Sequence, residues 1–314
     1  MPQTKTQSDM AKPSADRTSP RHAADRLLQA IERVGSPVCV GLDPVVEKLP
    51  AALRPDHTEP RAIVQSITAF SLGVLDAVAD VVPCVKFQSA CFERYRHVGV
   101  QALTNLIVGA RKRGLQVILD AKRGDIGLSA EHYAAAVFDD WRVDSQDARP
   151  DWVTINGYFG ADGIKPFLRE GFGAFVLVRT SNPSSDILQA SKLEDGRSVA
   201  ERLATIVAEL GESSIGECGF SALGAVVGAT KSHEAAALRQ LMPQQIFLVP
   251  GFGAQGATVD DIRPCFNADG KGALITASRS VIYAFDPADP NWPQSITQAA
   301  KSFADQIASV IKPH

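Results

Sequence analysis

The chain is poor in cysteine, in net charge and in long apolar runs. Its five cysteines, Cys39, Cys84, Cys91, Cys218 and Cys265, are odd in number and contain no Cys-x-x-Cys pair. That argues against a disulfide framework or a zinc ribbon. Four of them lie in or beside apolar segments, where a reduced thiol packs as a small hydrophobe, as expected in a reducing cytoplasm. The 32 Lys and Arg and 35 Asp and Glu leave a net charge of −3, without the basic surplus that nucleic-acid binding needs. No unbroken apolar run reaches the ~18 residues of a membrane span. The six histidines form no ligand-spaced pair, so a His/Cys metal site is not expected, although Mg2+ held by carboxylates stays open. Met1 to about Arg21 is polar and Pro-containing. It lacks the apolar core of a signal peptide and is expected to be a disordered tail spanning residues 1–22.

What is present is alternation. Eight short apolar runs read as buried strands: Pro37–Leu42, Val82–Phe87, Gln116–Ala121, Trp152–Ile155, Ala174–Val178, Ala222–Val227, Ile246–Val249 and Ala273–Thr276. Between them lie stretches with helical spacing: Arg61–Ala79, Val100–Lys112, Ala130–Phe138, Ser198–Leu210, His233–Leu241 and Ser295–Ile311. Weaker ones lie at Asp162–Arg169 and Val259–Phe266. Parallel neighbours require crossovers, and parallel strands are buried on both faces. The pattern predicts an α/β fold, a (β/α)8 TIM barrel in a single domain over residues 23–314. An open doubly wound sheet is the alternative. After the tail, no Pro/Ser-rich linker divides the chain.

The charged residues that interrupt these runs carry the functional signal. Asp120-Ala121-Lys122-Arg123-Gly124-Asp125 closes the third strand. Residues two apart on a strand share a face, so Asp120 and Lys122 should project together at the C-terminal mouth, with Asp125 just beyond. Asp43 ends the first strand, and Lys86 lies within the second. A Lys in an apolar strand is costly unless paired. Charges at successive strand ends read as a catalytic site in a barrel. After the seventh strand comes Pro250-Gly251-Phe252-Gly253-Ala254-Gln255-Gly256, and after the eighth Ser278-Arg279. Glycine-rich backbone and an arginine after strands seven and eight suit a phosphate. The run also spells Gly-x-Gly-x-x-Gly, but it opens no leading βαβ unit and no acidic residue ends the next strand, so a dinucleotide site is not expected.

With those residues in view, the chain resembles the orotidine 5'-phosphate decarboxylase family, whose signature is Asp-x-Lys-x-x-Asp; its flanks are similar to the longer, mycobacterial-type branch. The likeness runs from about Ala24 to the end, with Gly-Leu-Asp, Lys, the signature, Pro-Gly-x-Gly-x-Gln and Ser-Arg in order. It implies a homodimeric (β/α)8 barrel that decarboxylates orotidine 5'-monophosphate to UMP, the last step of de novo pyrimidine synthesis, without cofactor or metal. By position, Lys86, Asp120, Lys122 and Asp125 would form a charged tetrad, with Asp125 and Ser129 reaching the neighbouring subunit's site. Asp43 and Lys86 would hold ribose hydroxyls and Ser181 the pyrimidine edge. Gln255 and Arg279 would hold the phosphate, helped by the Gly253 N–H. Ser129 stands where the family often has Thr, a change that keeps the hydroxyl. Two other readings use the same scaffold. One is a Mg2+-dependent sugar-phosphate decarboxylase or aldolase, in which a metal-binding Glu would be expected where Lys86 stands. The other is a non-catalytic nucleotide-binding barrel.

Overall fold

The computed structural model describes residues 21–56, 58–140, 147–253 and 257–311. Eight parallel strands close on themselves in sequential order: β1 (Val38–Leu42), β2 (Cys84–Gln88), β3 (Gln116–Arg123), β4 (Trp152–Ile155), β5 (Gly173–Arg179), β6 (Leu223–Val227), β7 (Phe247–Pro250) and β8 (Ala273–Ala277). β1 pairs with both β2 and β8, which excludes the open sheet. Each expected strand is present within a residue or two of its predicted bounds.

The helices are α1 (Ala23–Val34), α2 (Pro60–Val78), α3 (Ala90–Glu93), α4 (Arg96–Lys112), α5 (Gly127–Phe138), α6 (Ala161–Ile164), α7 (Asp186–Gln189), α8 (Val199–Gly211), α9 (Ser232–Leu241), α10 (Val259–Ile262), α11 (Arg279–Ile282) and α12 (Trp292–Ile311). Local chemistry starts several of them. Glu59 accepts the Ala62 N–H ahead of Pro60 at the start of α2, and Ser198 with Glu201 forms a reciprocal capping box on α8. α2 is long and apolar enough on average to cross a bilayer. Its Val64, Ile67, Phe70, Val74 and Val78 are buried in the core, so it is a helix of the barrel's outer layer.

Alternate strand residues divide the interior from the helix layer. Val38, Val40, Leu42, Val85, Phe87, Val117 and Val153 belong to the cluster beneath the helices. Cys39, Cys84, Ile118, Trp152, Phe175, Leu248 and Leu274 fill the barrel interior. Into the floor of that interior, α1 inserts Ala23, Ala24, Leu27 and Leu28. The sequence reading placed no helix there. α1 ends at Gly35, whose φ of 75° suits the left-handed cap.

The floor is also charged. Asp151, 2% exposed, accepts from Arg26 Nη2 at 3.0 Å and Arg111 Nη1 at 3.1 Å through Oδ1, and from the Val117 N–H at 2.9 Å through Oδ2. Arg26 also donates to the Gly171 carbonyl at 2.8 Å. Asp25 accepts the Glu217 and Cys218 amides. α1 is thus pinned to the floor by apolar burial and by paired charge.

Candidate active site

At the opposite end the same alternation brings Lys86, Asp120, Lys122 and Thr154 into one cavity of about 590 Å3. Asp43, Ser181 and Arg279 also line it. Asp120 is its organising group and is only 7% exposed. Its Oδ1 accepts from Lys122 Nζ at 2.6 Å and Thr154 Oγ1 at 2.8 Å. Its Oδ2 accepts from Lys86 Nζ at 2.7 Å and Gln88 Nε2 at 3.2 Å. Burial alone would raise the Asp120 pKa. The Lys86 and Lys122 ammoniums outweigh it and hold the carboxyl far below the usual carboxylate range. For Lys86, burial pulls the pKa down, but its contact with Asp120 prevails and holds it above the ordinary lysine value. Both groups are therefore charged at neutral pH.

Lys122 differs from Lys86 in two respects. Its side chain is 46% exposed, and its φ is +47°, a left-handed conformation costing a residue with a Cβ about 1–2 kcal/mol. The strain coincides with a break in pairing. β3 advances from Leu119 to Arg123 while β4 advances only from Val153 to Ile155, a bulge that re-aims the strand end.

Asp43 follows β1 beside this group, and its buried Oδ1 has no hydrogen-bond partner among the described residues. Burial raises its pKa above the ordinary aspartate value, against the opposing pull of Lys86. A buried carboxylate oxygen without a donor is an expensive feature, here in a residue that also lines the cavity. Gly41 makes this corner possible, because a Cβ there would lie 2.0 Å from Ser278 Oγ.

Across the mouth, Arg279 opens α11 immediately after β8, and it is exposed. Gly253 has φ of +68°; its N–H donates to the Ala257 carbonyl at 3.1 Å. Gln255 lies outside the described residues. Ser181 is held by close packing of Gly228, where a Cβ would fall 2.9 Å from Ser181 Cα. Its loop is anchored by Arg179, which is buried and bound to Glu234 at 2.8 Å, to Ser185 at 2.7 Å and to Asp186. Asp125 and Ser129 do not line this chain's cavity. Asp125 Oδ1 accepts the Ile126 N–H at 2.9 Å, and Ser129 is exposed in the first turn of α5.

The sequence reading missed Thr154, Gln88 and Thr276, all of which face inward at or near the site. The signal for Thr154 was available: a polar residue in Trp152-Val153-Thr154-Ile155 poses the same question as Lys86 in its strand.

A closed parallel barrel with a saturated Lys–Asp–Lys cluster at its C-terminal mouth defines a (β/α)8 enzyme suited to stabilising negative charge on a small anionic substrate. Residues 36–290 match the family described as Orotidine 5'-phosphate decarboxylase / HUMPS, and the chain belongs to that family. It is 40% identical over 297 residues to an orotidine 5'-phosphate decarboxylase of Rhodopirellula baltica, covering 90% of this chain and 98% of the relative. A namesake from Caldicellulosiruptor saccharolyticus is 35% identical, over 92% of this chain and 98% of its own length. Among solved structures, Leishmania donovani OMP decarboxylase superposes with a TM-score of 0.73 at 28% identity, covering 93% of this chain and all (100%) of that one.

Proposed function

We propose that this chain decarboxylates orotidine 5'-phosphate to UMP and CO2, in one barrel domain that begins at Ala23. The observation that carries the reading is the Lys86–Asp120–Lys122 cluster sharing one cavity with Arg279. In the reaction the bond from C6 of the pyrimidine to the carboxylate breaks, CO2 departs, and the electron pair stays on C6. Lys122 is the group placed to stabilise that charge and donate the proton that neutralises it; its amine then regains a proton from solvent. Asp120 keeps the ammonium charged and oriented. Asp43, with its unpartnered oxygen, accepts a ribose hydroxyl, with Lys86 beside it. Ser181 contacts the pyrimidine edge. Arg279, Gln255 and the Gly253 backbone hold the phosphate; for Gly253 this requires its N–H to leave Ala257.

Asp125 and Ser129 belong, in this reading, to the neighbouring subunit's site in a homodimer. Supporting it, both lie outside their own cavity and flank Ile126 and Leu128, which are 57% and 74% exposed and suit a covered face. The five free thiols support a reducing, cytoplasmic setting.

The Mg2+-dependent alternative fits less well. Both oxygens of Asp120 are already taken by ammoniums, which a divalent cation there would have to displace. The test is loss of long-wavelength ultraviolet absorbance when orotidine 5'-phosphate is added, with and without EDTA. Turnover insensitive to EDTA is expected. No turnover by folded protein would overturn the proposal, and turnover abolished by EDTA would favour the metal-dependent reading.

A further inference from the structure

Lys122 holds an unfavourable backbone conformation beside a buried carboxylate, and something must fix both. The pairing of β3 with β4 is broken there, so the Lys122 amide is displaced from the regular ladder. It donates instead to Thr154 Oγ1, on β4, at 3.0 Å. The same hydroxyl donates its proton to Asp120 Oδ1 at 2.8 Å. One oxygen thus bridges the strained backbone of Lys122 to the carboxylate that its own ammonium contacts. Thr154 is 1% exposed, so water cannot readily replace it. Both bonds go to β3, and to the two residues the proposed chemistry depends on.

We infer that Thr154 is the positioning residue of the site: its hydroxyl locks the β3 bulge and the Asp120 carboxylate into the single arrangement that aims the Lys122 ammonium into the cavity. The charged groups around it are Asp120, Lys122 and, across Asp120, Lys86. Removing the hydroxyl leaves the Lys122 N–H and one lone pair of Asp120 unsatisfied, and the ammonium free to swing outward from its half-exposed position. A displacement of about 1 Å in a reacting group can cost about 100-fold in rate.

The kinetic part of this inference rests on the decarboxylase reading; the structural part does not. Thr154→Val keeps the shape and deletes the hydroxyl, whereas Thr154→Ser keeps the hydroxyl. Thr154→Val is expected to lower kcat about 100-fold while KM stays within about threefold, because binding groups are untouched. Thr154→Ser should recover kcat to within about threefold of the parent. A crystal structure of Thr154→Val should show Lys122 Nζ withdrawn from Asp120 Oδ1. Should the Val variant not fold, Thr154→Ala is compared on the same terms. Wild-type kcat in the Val variant, a Ser variant as slow as the Val one, or an unmoved Lys122 in its crystal structure would overturn the inference. An inactive parent would defeat the decarboxylase reading, and the crystallographic comparison alone would then decide the role of Thr154.

Discussion

Asp120 at the mouth and Asp151 at the floor are both buried carboxylates, each held by two cations within hydrogen-bond distance, at opposite ends of one barrel. Their partners differ. Asp151 is held by two arginines, which cannot give up a proton, and its second oxygen caps a strand amide. α1 covers that end with Leu27 and Leu28. Asp120 is held by two lysines, one of them half-exposed and backbone-strained, beside a carboxylate oxygen left without a donor. The same electrostatic motif is covered by a helix at one end and open to a cavity at the other. Exposure, strain and the choice of Lys over Arg separate the two, rather than the number of charges.

Substitutions at either end sharpen that contrast. The largest expected effect is that of Lys122→Ala, which removes the proposed proton donor. Turnover should fall by about 10^4-fold in protein that still folds, with Lys86 left to pair Asp120, and appreciable residual turnover would argue against the assignment. Asp151→Asn comes next and acts at the floor. Breaking a buried pair leaves Arg26 without its carboxylate and Arg111 with Asp147 alone, and is expected to cost about 3 kcal/mol, read as a thermal midpoint lower by roughly 10 °C. Arg279→Ala returns to the mouth. Phosphate binding energy used to orient the ring should be lost from kcat as well as from affinity, giving a drop of roughly 100-fold in kcat/KM. An effect confined to KM would show that the phosphate only anchors.

The smallest effect concerns pH. The folded pKa of Asp120 is depressed, so its contribution is present above the unfolded value of about 3.9 and is lost as pH falls through the folded value. Asp43 has the opposite sign. Its folded pKa is raised, so native stability declines as pH rises between the unfolded and folded values, and the full cost remains at neutral pH. Asp43→Asn should therefore raise the thermal midpoint at pH 7 by about 2 °C while weakening substrate binding. The gain should vanish below pH ~3.5, where both forms are neutral. A lower midpoint at pH 7 would mean that Asp43 is a structural group rather than a reserved acceptor.

Much of this architecture was legible in the chain. Buried parallel strands read as apolar runs, so all eight were placed, and Lys86, Asp120 and Lys122 stood out because each interrupts one. α1 was not placed, because Ala23–Val34 carries many charges and directly follows a polar segment. Its apolar residues at 23, 24, 27 and 28 make sense only against a barrel floor that does not exist until the sheet closes. Thr154 escaped for a related reason. Its place in an apolar strand was a visible signal, but its partners were not, because they depend on the bulge in β3, which no local pattern announces. Asp125 and Ser129 were legible as part of the signature, but neither lines this chain's own cavity.

Mirrored variants at the two ends, Asp120→Asn and Asp151→Asn, separate reaction at the mouth from stability at the floor when kcat for orotidine 5'-phosphate is measured per folded molecule. Asp120→Asn is expected to lose about 10^3-fold or more, and Asp151→Asn to keep a kcat within about twofold of the parent. Equal losses at both positions, or retained turnover in Asp120→Asn, would contradict that separation.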